Sequence, residues 1–389
     1  MSESATESAP SGVLWDIVRY AIVAVVVGFL IWYCFFNTPT IYVSRESTGQ
    51  TMGTDYIVKV ARFPENADWD AVKSAIQKRL DALDQMMSTY KSDSEVCRFN
   101  AFDSTEDWFS ISPETAFVIQ TALEISQLSE GAFDITIAPL VRHWGFGADA
   151  SPRRTLSFEE LVAAAVPLKE QVGYQHLSVR FDPPALKKAI PELTIDLSAI
   201  AKGFAVDCIA ELLEEYEVSN YLIEVGGEVR GKGIKSKGKD LGILVRLANW
   251  VRGKGNQSQD KDWIVGIERP MLESSHDFPG LQQAFALKDQ SLATSGNYLQ
   301  TIVIGDQRIS HLIDPRSGFP VRFESEAGEL VAAAVNASDC TSADAWATAL
   351  FVLGEQRGVE VADRHGIAVL FLFHDGKEVI EIRSRHWTK

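Results

Sequence analysis

Asp344 and Thr348 stand four residues apart in the stretch DCTSADAWATALFVLG, Asp339 to Gly354. The stretch is predicted helical, and at this spacing both side chains face the same way. A carboxylate and a hydroxyl are hard oxygen ligands, suited to Mg2+ and poor for zinc; an ordinary polar helix face has the same pattern. His311 lies in a predicted strand, SHLID, closed by the turn Pro315-Arg316-Ser317-Gly318. With Ser310 and Asp314 beside it, His311 is either a hydrogen-bonded structural residue or a proton acceptor working near neutral pH. A third candidate runs from Thr194 to Gly233. A short strand, Leu193 to Leu197, carries Asp196 and gives way to a tight turn at Ser198-Ala199. A helix follows with Ile200, Phe204, Ile209, Leu212 and Leu213 at helical spacing, then a strand, Tyr221 to Val225, ending in Gly226-Gly227. A strand feeding a helix N-terminus offers free N–H groups to an anion, and paired glycines let a ligand approach the backbone. A buried strand–helix–strand unit would read the same way.

The elements that must position these residues follow in chain order. Residues 1–12 are small and polar, and predict disorder. Residues 13–36 contain YAIVAVVVGFLIWYCFF, uncharged from Tyr20 to Phe36, long enough to span a bilayer as one helix. Trp15, Trp32 and Tyr33 near its ends suit the headgroup region. No small-x-small cleavage site follows, which favours an uncleaved anchor over a signal peptide. Arg19 lies on one side and Arg45, Lys59 and Arg62 on the other, so charge alone fixes no orientation. Residues 37–50 read as a linker, and residues 51–389 as the soluble body. Thr51 to Thr54 opens a strand, Tyr56 to Ala61. Asp68 to Met87 is an amphipathic helix with Val72, Ile76, Leu80, Leu83 and Met87 on one face. Met87 to Ala101 reads as a helix end and a polar loop that displays Tyr90. Pro113 to Ser129 is a second amphipathic helix. Gly131 to Gly147, GAFDITIAPLVRHWGFG, either packs a corner or lines a pocket for a flat ligand. Lys232 to Trp263 reads as a solvated loop with an extra hairpin, with a docking surface for a protein partner as the other reading. Ser291 to Tyr298, SLATSGNY, reads as a small-residue loop.

The chain has 389 residues, 46% of them hydrophobic, enough for a large core in one domain or two. A net charge of −16 argues against nucleic acid or an anionic membrane surface as the main partner. Four cysteines without a CxxC pair give neither a disulfide framework nor a zinc site. Strands and helices mix without a βαβ rhythm, and neither GxGxxG nor a P-loop occurs.

Together these segments resemble the ApbE family, the FAD:protein FMN transferases. The matching pieces are MGT (Met52 to Thr54), STYKSDSEVCRFN (Ser88 to Asn100), GAFDITIAPLVRHWGFG, DLSAIAKGFAVD (Asp196 to Asp207) and YLIEVGGEVRGKG (Tyr221 to Gly233). LATSGNY, SHLIDPRSGFPV (Ser310 to Val321) and SADAWATAL (Ser342 to Leu350) complete the series in the family's order. The resemblance implies an α+β, T-fold-like body, with antiparallel-rich sheets and helices packed on one side, behind the N-terminal transmembrane helix. It implies that a threonine or serine hydroxyl of an acceptor protein attacks the FMN phosphorus of FAD, that AMP leaves, and that FMN stays attached through a phosphodiester. By resemblance the Mg2+ ligands are Asp344, Thr348 and the main-chain oxygen of Ala199, with Mn2+ accepting the same oxygens. His311 becomes the candidate base, and Met52, Tyr90, Ala132, Phe133, Asp134, Asp196, Lys202 and Ile313 the FAD-contacting positions. Tyr90 and Phe133 would pack on a planar ring, and Asp134 and Asp196 would accept ring or ribose hydrogen bonds. Implied acceptors are subunits of NADH:quinone or ferredoxin oxidoreductases, reached from the extracytoplasmic side of the inner membrane. Two features depart from the family: Tyr33 precedes Cys34 where a lipoprotein needs a small residue, and Lys235 to Gln259 is longer than the usual connection. A hydrolase releasing FMN and AMP from FAD, and a non-catalytic flavin-binding protein, are the alternatives.

Overall fold

A computed structural model describes residues 15, 19–29, 42–147, 157–235, 261–268, 281–296, 301–304, 307–321, 324–325, 328–375 and 377–388. The chain divides into two units, one of Met1–Val43, Pro64–Asn66 and Gly238–Gln257, the other of Ser44–Phe63, Ala67–Lys237 and Ser258–Lys389. In the first unit residues 19–29 are helical. Among the described residues no helix is long and apolar enough to cross a membrane. Residues 1–12 and half of the expected 13–36 span lie outside the described residues.

The second unit is built on one antiparallel sheet. Its path comprises β1 (Tyr42–Thr51), β2 (Thr54–Pro64), β3 (Tyr221–Val225), β4 (Glu228–Lys232), β5 (Gln290–Gly296), β6 (Gly328–Ala337), β7 (Ala368–His374) and β8 (Val379–Arg383). The order in space is the order in the chain, with Glu324–Ser325 added beside β6. Two strands depart from expectation. Residues from Tyr42, read as linker, form β1, because polar residues alternate there as an exposed edge strand requires. Ser291 to Gly296, read as a loop, lies inside β5 and pairs residue by residue with Ala337 to Ala332 of β6.

Period-two alternation sends the sheet's side chains into two cores. Val58, Ile223, Ala293, Val335 and Phe371 face a helical layer. Leu292, Ala334, Leu370 and Leu372 face the other way, against Trp263, Phe285 and Leu287 of the antiparallel pair Lys261–Glu268 and Leu281–Leu287 and against Trp387. Each buried Val, Leu, Ile or Phe side chain among these is worth about 1.5–3 kcal/mol. With both faces covered, β6 and β7 read as near-continuous apolar runs.

The helices are α1 (Trp69–Met87), α2 (Glu95–Ala101), α3 (Pro113–Leu128), α4 (Ala138–His143), α5 (Phe158–Leu168), α6 (Ala201–Glu215) and α7 (Cys340–His365). Asp68, Ser94, Ser112 and Asp339 cap α1, α2, α3 and α7 by accepting backbone N–H groups. Helix α2 occupies part of the stretch read as loop. Helix α7 is broken at Gly354, where φ is 72°. The expected strand Leu193–Leu197 has no ladder: the Asn100 carboxamide takes a neighbour's place, accepting from Ile195 N–H at 2.7 Å and donating to its carbonyl at 2.9 Å.

Lys232 to Trp263 is partly described. Ile234–Lys235 pairs antiparallel with Lys261–Asp262. The intervening 236–260 lie outside the described residues.

Candidate active site

The N-terminal end of α6, the first half of α7 and the strands β4 and β5 bring five of the sequence's polar residues together. Lys202 of α6 forms an ion pair with Glu228 of β4, and its Nζ lies 3.6 Å from Oδ1 of Asp344 on α7. The Gly203 N–H donates to Asp344 Oδ2 at 3.0 Å. Thr348, one turn after Asp344, meets Ser295 of β5 hydroxyl to hydroxyl at 2.9 Å. Close approach of the helices demands glycine at 203, since a Cβ there would lie 2.2 Å from the Cys340 carbonyl oxygen. At Gly226 a Cβ would meet Thr54 Cγ2 at 2.8 Å and Lys202 Cδ at 3.1 Å, so the MGT turn and the glycine pair converge on the Lys202 stem.

This cluster carries unbalanced charge. Asp344 and Glu228 are 3% and 4% exposed and share one ammonium. Burial pushes the Glu228 carboxyl up to about 7 against the lowering pull of Lys202. Burial opposes the Lys202 ammonium too, but the carboxylates of Asp344 and Glu228 outweigh it and hold its pKa above the ordinary lysine value. A second rung lies beside the first. Asp207 of α6 pairs with Arg230 of β4 and accepts from Cys340 N–H, Thr341 N–H at 2.8 Å and Thr341 Oγ1 at 2.6 Å. Its carboxylate therefore caps the first turn of α7, the turn before Asp344.

A hard dication suits this donor set. Carboxylate, hydroxyl and carbonyl oxygens are the ligands Mg2+ takes, and a cation would complete the charge that Lys202 leaves unbalanced. Asp344, Thr348 and the carbonyl of Ala199, two residues before α6, are the residues that could hold it. Among the described residues no group of three or more His, Cys, Asp or Glu forms a metal cluster, so such a site needs oxygens of other kinds, including a ligand's own.

The remaining predicted residues form a wider ring. Met52 sits in the β1–β2 turn at φ 49° and packs on the main core. Ala132 and Phe133 are buried in that core. Both Asp134 oxygens are engaged: Oδ1 accepts from Thr136 N–H and hydroxyl at 2.8 and 2.7 Å, and Oδ2 from Tyr174 N–H at 2.7 Å. Burial raises the Asp134 pKa against those hydrogen bonds. Asp196 accepts from Ser198 N–H at 2.9 Å, forming the turn that enters α6, and its own N–H donates to Ile135 at 2.7 Å, which ties the Asp134 and Asp196 loops together. Tyr90 is 73% exposed on its loop, an aromatic face open to solvent. Ile313 packs in a third core with Leu140 and Trp144. His311 is half-buried in a bend between two short strands, its ring 6.2 Å from Phe146, and not inside one strand as expected. His311 and Ile313 pack beside the 131–147 stretch, while Lys202 meets Asp344 and Thr348 meets Ser295.

Sequence reading passed over Glu228, Asp207, Arg230 and Ser295. A signal existed for two of them. EVRGK carries Glu228 and Arg230 on one face of a strand between apolar neighbours, and buried charges must find partners.

Comparison with known proteins places this arrangement. It is an α+β body with a buried lysine–carboxylate cluster between two helices and a sheet, and the ApbE family matches residues 52–371. A relative from Vibrio cholerae, named FAD:protein FMN transferase, is 36% identical over 84% of this chain and 86% of its own length. One of the same name from Escherichia coli is 33% identical, covering 84% of each. Among solved structures, the flavin transferase ApbE from Vibrio cholerae superposes with a TM-score of 0.72 at 33% identity, over 89% of this chain and 98% of that one. The flavinyl transferase ApbE of Pseudomonas stutzeri, in its apo form, gives 0.71 at 30% identity, over 89% and 96%. The chain belongs to the ApbE family.

Proposed function

We propose that this protein transfers the FMN moiety of FAD to a threonine or serine hydroxyl of an acceptor redox protein. The observation that carries the reading is the family match over nearly the whole body, with Lys202, Glu228 and Asp344 gathered in one buried cluster. The acceptor oxygen forms a bond to the FMN phosphorus, the bond from that phosphorus to the bridging oxygen breaks, and AMP leaves with the electron pair. The hydroxyl proton passes to His311. Lys202 presents its ammonium to the pyrophosphate, and Glu228 keeps that ammonium in place. Asp344, Thr348 and the Ala199 carbonyl would hold Mg2+, which when bound neutralises phosphate charge. Tyr90 offers a face to a planar ring.

We also infer that residues 13–36 anchor the chain by a single pass in the inner membrane, with the body on the extracytoplasmic side and acceptors among membrane redox complexes. The uncharged run from Tyr20 to Phe36 supports this.

The test mixes the chain from Thr40 onward with FAD, Mg2+ and an acceptor domain carrying a threonine in a small-residue context. Intact acceptor mass and AMP release are read together. An adduct of FMN mass with AMP establishes the transfer. AMP and free FMN with no adduct on any of several acceptors would instead make the protein a pyrophosphatase, and bound FAD without AMP a flavin-binding protein.

A further inference from the structure

Ser295 has no role in the reading above, yet its hydroxyl lies 2.9 Å from that of Thr348. A hydroxyl has one proton and two lone-pair directions. To ligate a cation it must aim a lone pair at the cation and its proton elsewhere. A threonine inside a helix ordinarily turns its proton toward the carbonyl four residues back, here that of Asp344. Ser295 offers that proton an acceptor across the sheet–helix interface. The acceptor is firmly placed: β5 pairs with β6 throughout, Ser295 opposite Ala333, and Ala293 on the same face is fully buried against the helices. The backbone N–H of the preceding residue, Thr294, favours the ionised form of the Glu228 carboxylate, so two consecutive residues of β5 bear on the cluster.

We propose that Ser295 is a positioning residue, which accepts the Thr348 proton and so turns the Thr348 lone pairs toward a divalent cation. This rests on the metal reading of Asp344 and Thr348. Partners that orient metal ligands typically change metal affinity by about 10–100-fold when removed. A serine in a run of small residues on a buried strand is suited to the task, because it adds a proton acceptor without widening the gap between β5 and α7.

The test titrates the full-length chain with Mn2+, following loss of the free-ion electron paramagnetic resonance signal, in parallel with flavin fluorescence on FAD binding in chelator. Ser295→Ala is expected to weaken Mn2+ binding about tenfold or more, with FAD binding in chelator and the melting temperature unchanged. Ser295→Thr, which keeps the hydroxyl, is expected to recover most of the affinity. Mn2+ binding by Ser295→Ala within twofold of the parent would overturn the proposal, as would a Ser295→Thr chain no better than Ser295→Ala. Asp344→Ala separates the layers. If it abolishes Mn2+ binding while Ser295→Ala does not, only the Ser295 role falls. If Asp344→Ala binds Mn2+ like the parent, the metal reading falls and Ser295 with it.

Discussion

His311 and Lys188 show how differently two basic side chains serve this chain. His311 is half-buried in a bend beside Phe146. A general base of this kind contributes about 10²–10⁴ in rate. His311→Ala is therefore expected to lower FMN transfer by that factor while FAD affinity, read by fluorescence, holds. Transfer at the parent rate would remove His311 from the proton path. Lys188 is fully buried, its Nζ 4.9 Å from the Phe99 ring and 3.3 Å from the Asn100 carbonyl oxygen, to which it donates. Burial pulls its pKa down to about 8, with Asp103 opposing. The folded state therefore binds fewer protons than the unfolded between about pH 8 and 10.5, and over that window this group makes stability rise with pH. Below it, the buried ammonium costs stability. Lys188→Met is expected to gain on the order of 2 kcal/mol near pH 7, and the gain is expected to shrink as pH climbs through 8 and beyond. Urea unfolding at pH 6, 8 and 10 reads it; a pH-independent difference would mean that Lys188 keeps its ordinary lysine pKa when folded.

At the scale of elements, the site depends on how α6, α7 and the sheet are registered. Charges alternate across two rungs: Glu228, Lys202 and Asp344 in one, Arg230, Asp207 and the positive end of α7 in the other. Asp207→Asn keeps the shape but loses the charge, and turns an amide toward donors that need acceptors. It is expected to cost about 2–3 kcal/mol in urea unfolding, and to weaken divalent-cation binding because the α7 turn bearing Asp344 loosens. A loss under ~0.5 kcal/mol, the scale of an ordinary surface change, would show that Asp339 alone caps the helix. The first half of helix α7 was legible in the sequence because both its signals are local, Asp339 before the apolar period and Gly354 at its break; the continuation to His365 was not. Helices α1 and α3 and strand β3 were legible on the same terms. Strand β5 was not, since Ala, Ser and Gly are weak strand formers; it is a strand because β4 and β6 pair with it and α7 packs close above. Helix α2 hid in a polar stretch whose one marker was Ser94 followed by Glu95. Leu193–Leu197 looked like a strand because its alternation is real, but its neighbour is a side chain, Asn100. The Asp344–Thr348 pair was visible as an i,i+4 spacing, whereas its partners Lys202, Glu228 and Ser295 come from distant segments that no local period connects.

At the scale of the whole molecule, the question is what the N-terminal residues contribute to the body. The buried cores begin at Tyr56, and the earliest residue packed on them is Met52. The sheet begins one strand earlier, at Tyr42. Stability should therefore reside in the residues from β1 onward, and an anchor should contribute location instead. Removing residues 1–39 keeps β1 whole, including its edge, and leaves each of the three cores intact. The truncated chain is expected to melt within about 2 °C of the full-length protein, a shift worth about 1.5 kcal/mol at most for a domain this large. It is also expected to bind FAD equally well and to move from the membrane pellet to the supernatant after ultracentrifugation of cell lysate. Transfer to a soluble acceptor domain should persist, while transfer to an acceptor embedded in vesicles should fall, since confinement of both partners to one surface raises their effective concentration. A full-length chain found in the supernatant would refute the anchor at 13–36. A large fall in melting temperature on truncation would mean that residues before β1 pack on the body, and the sheet edge at β1 would then be the place to look for them.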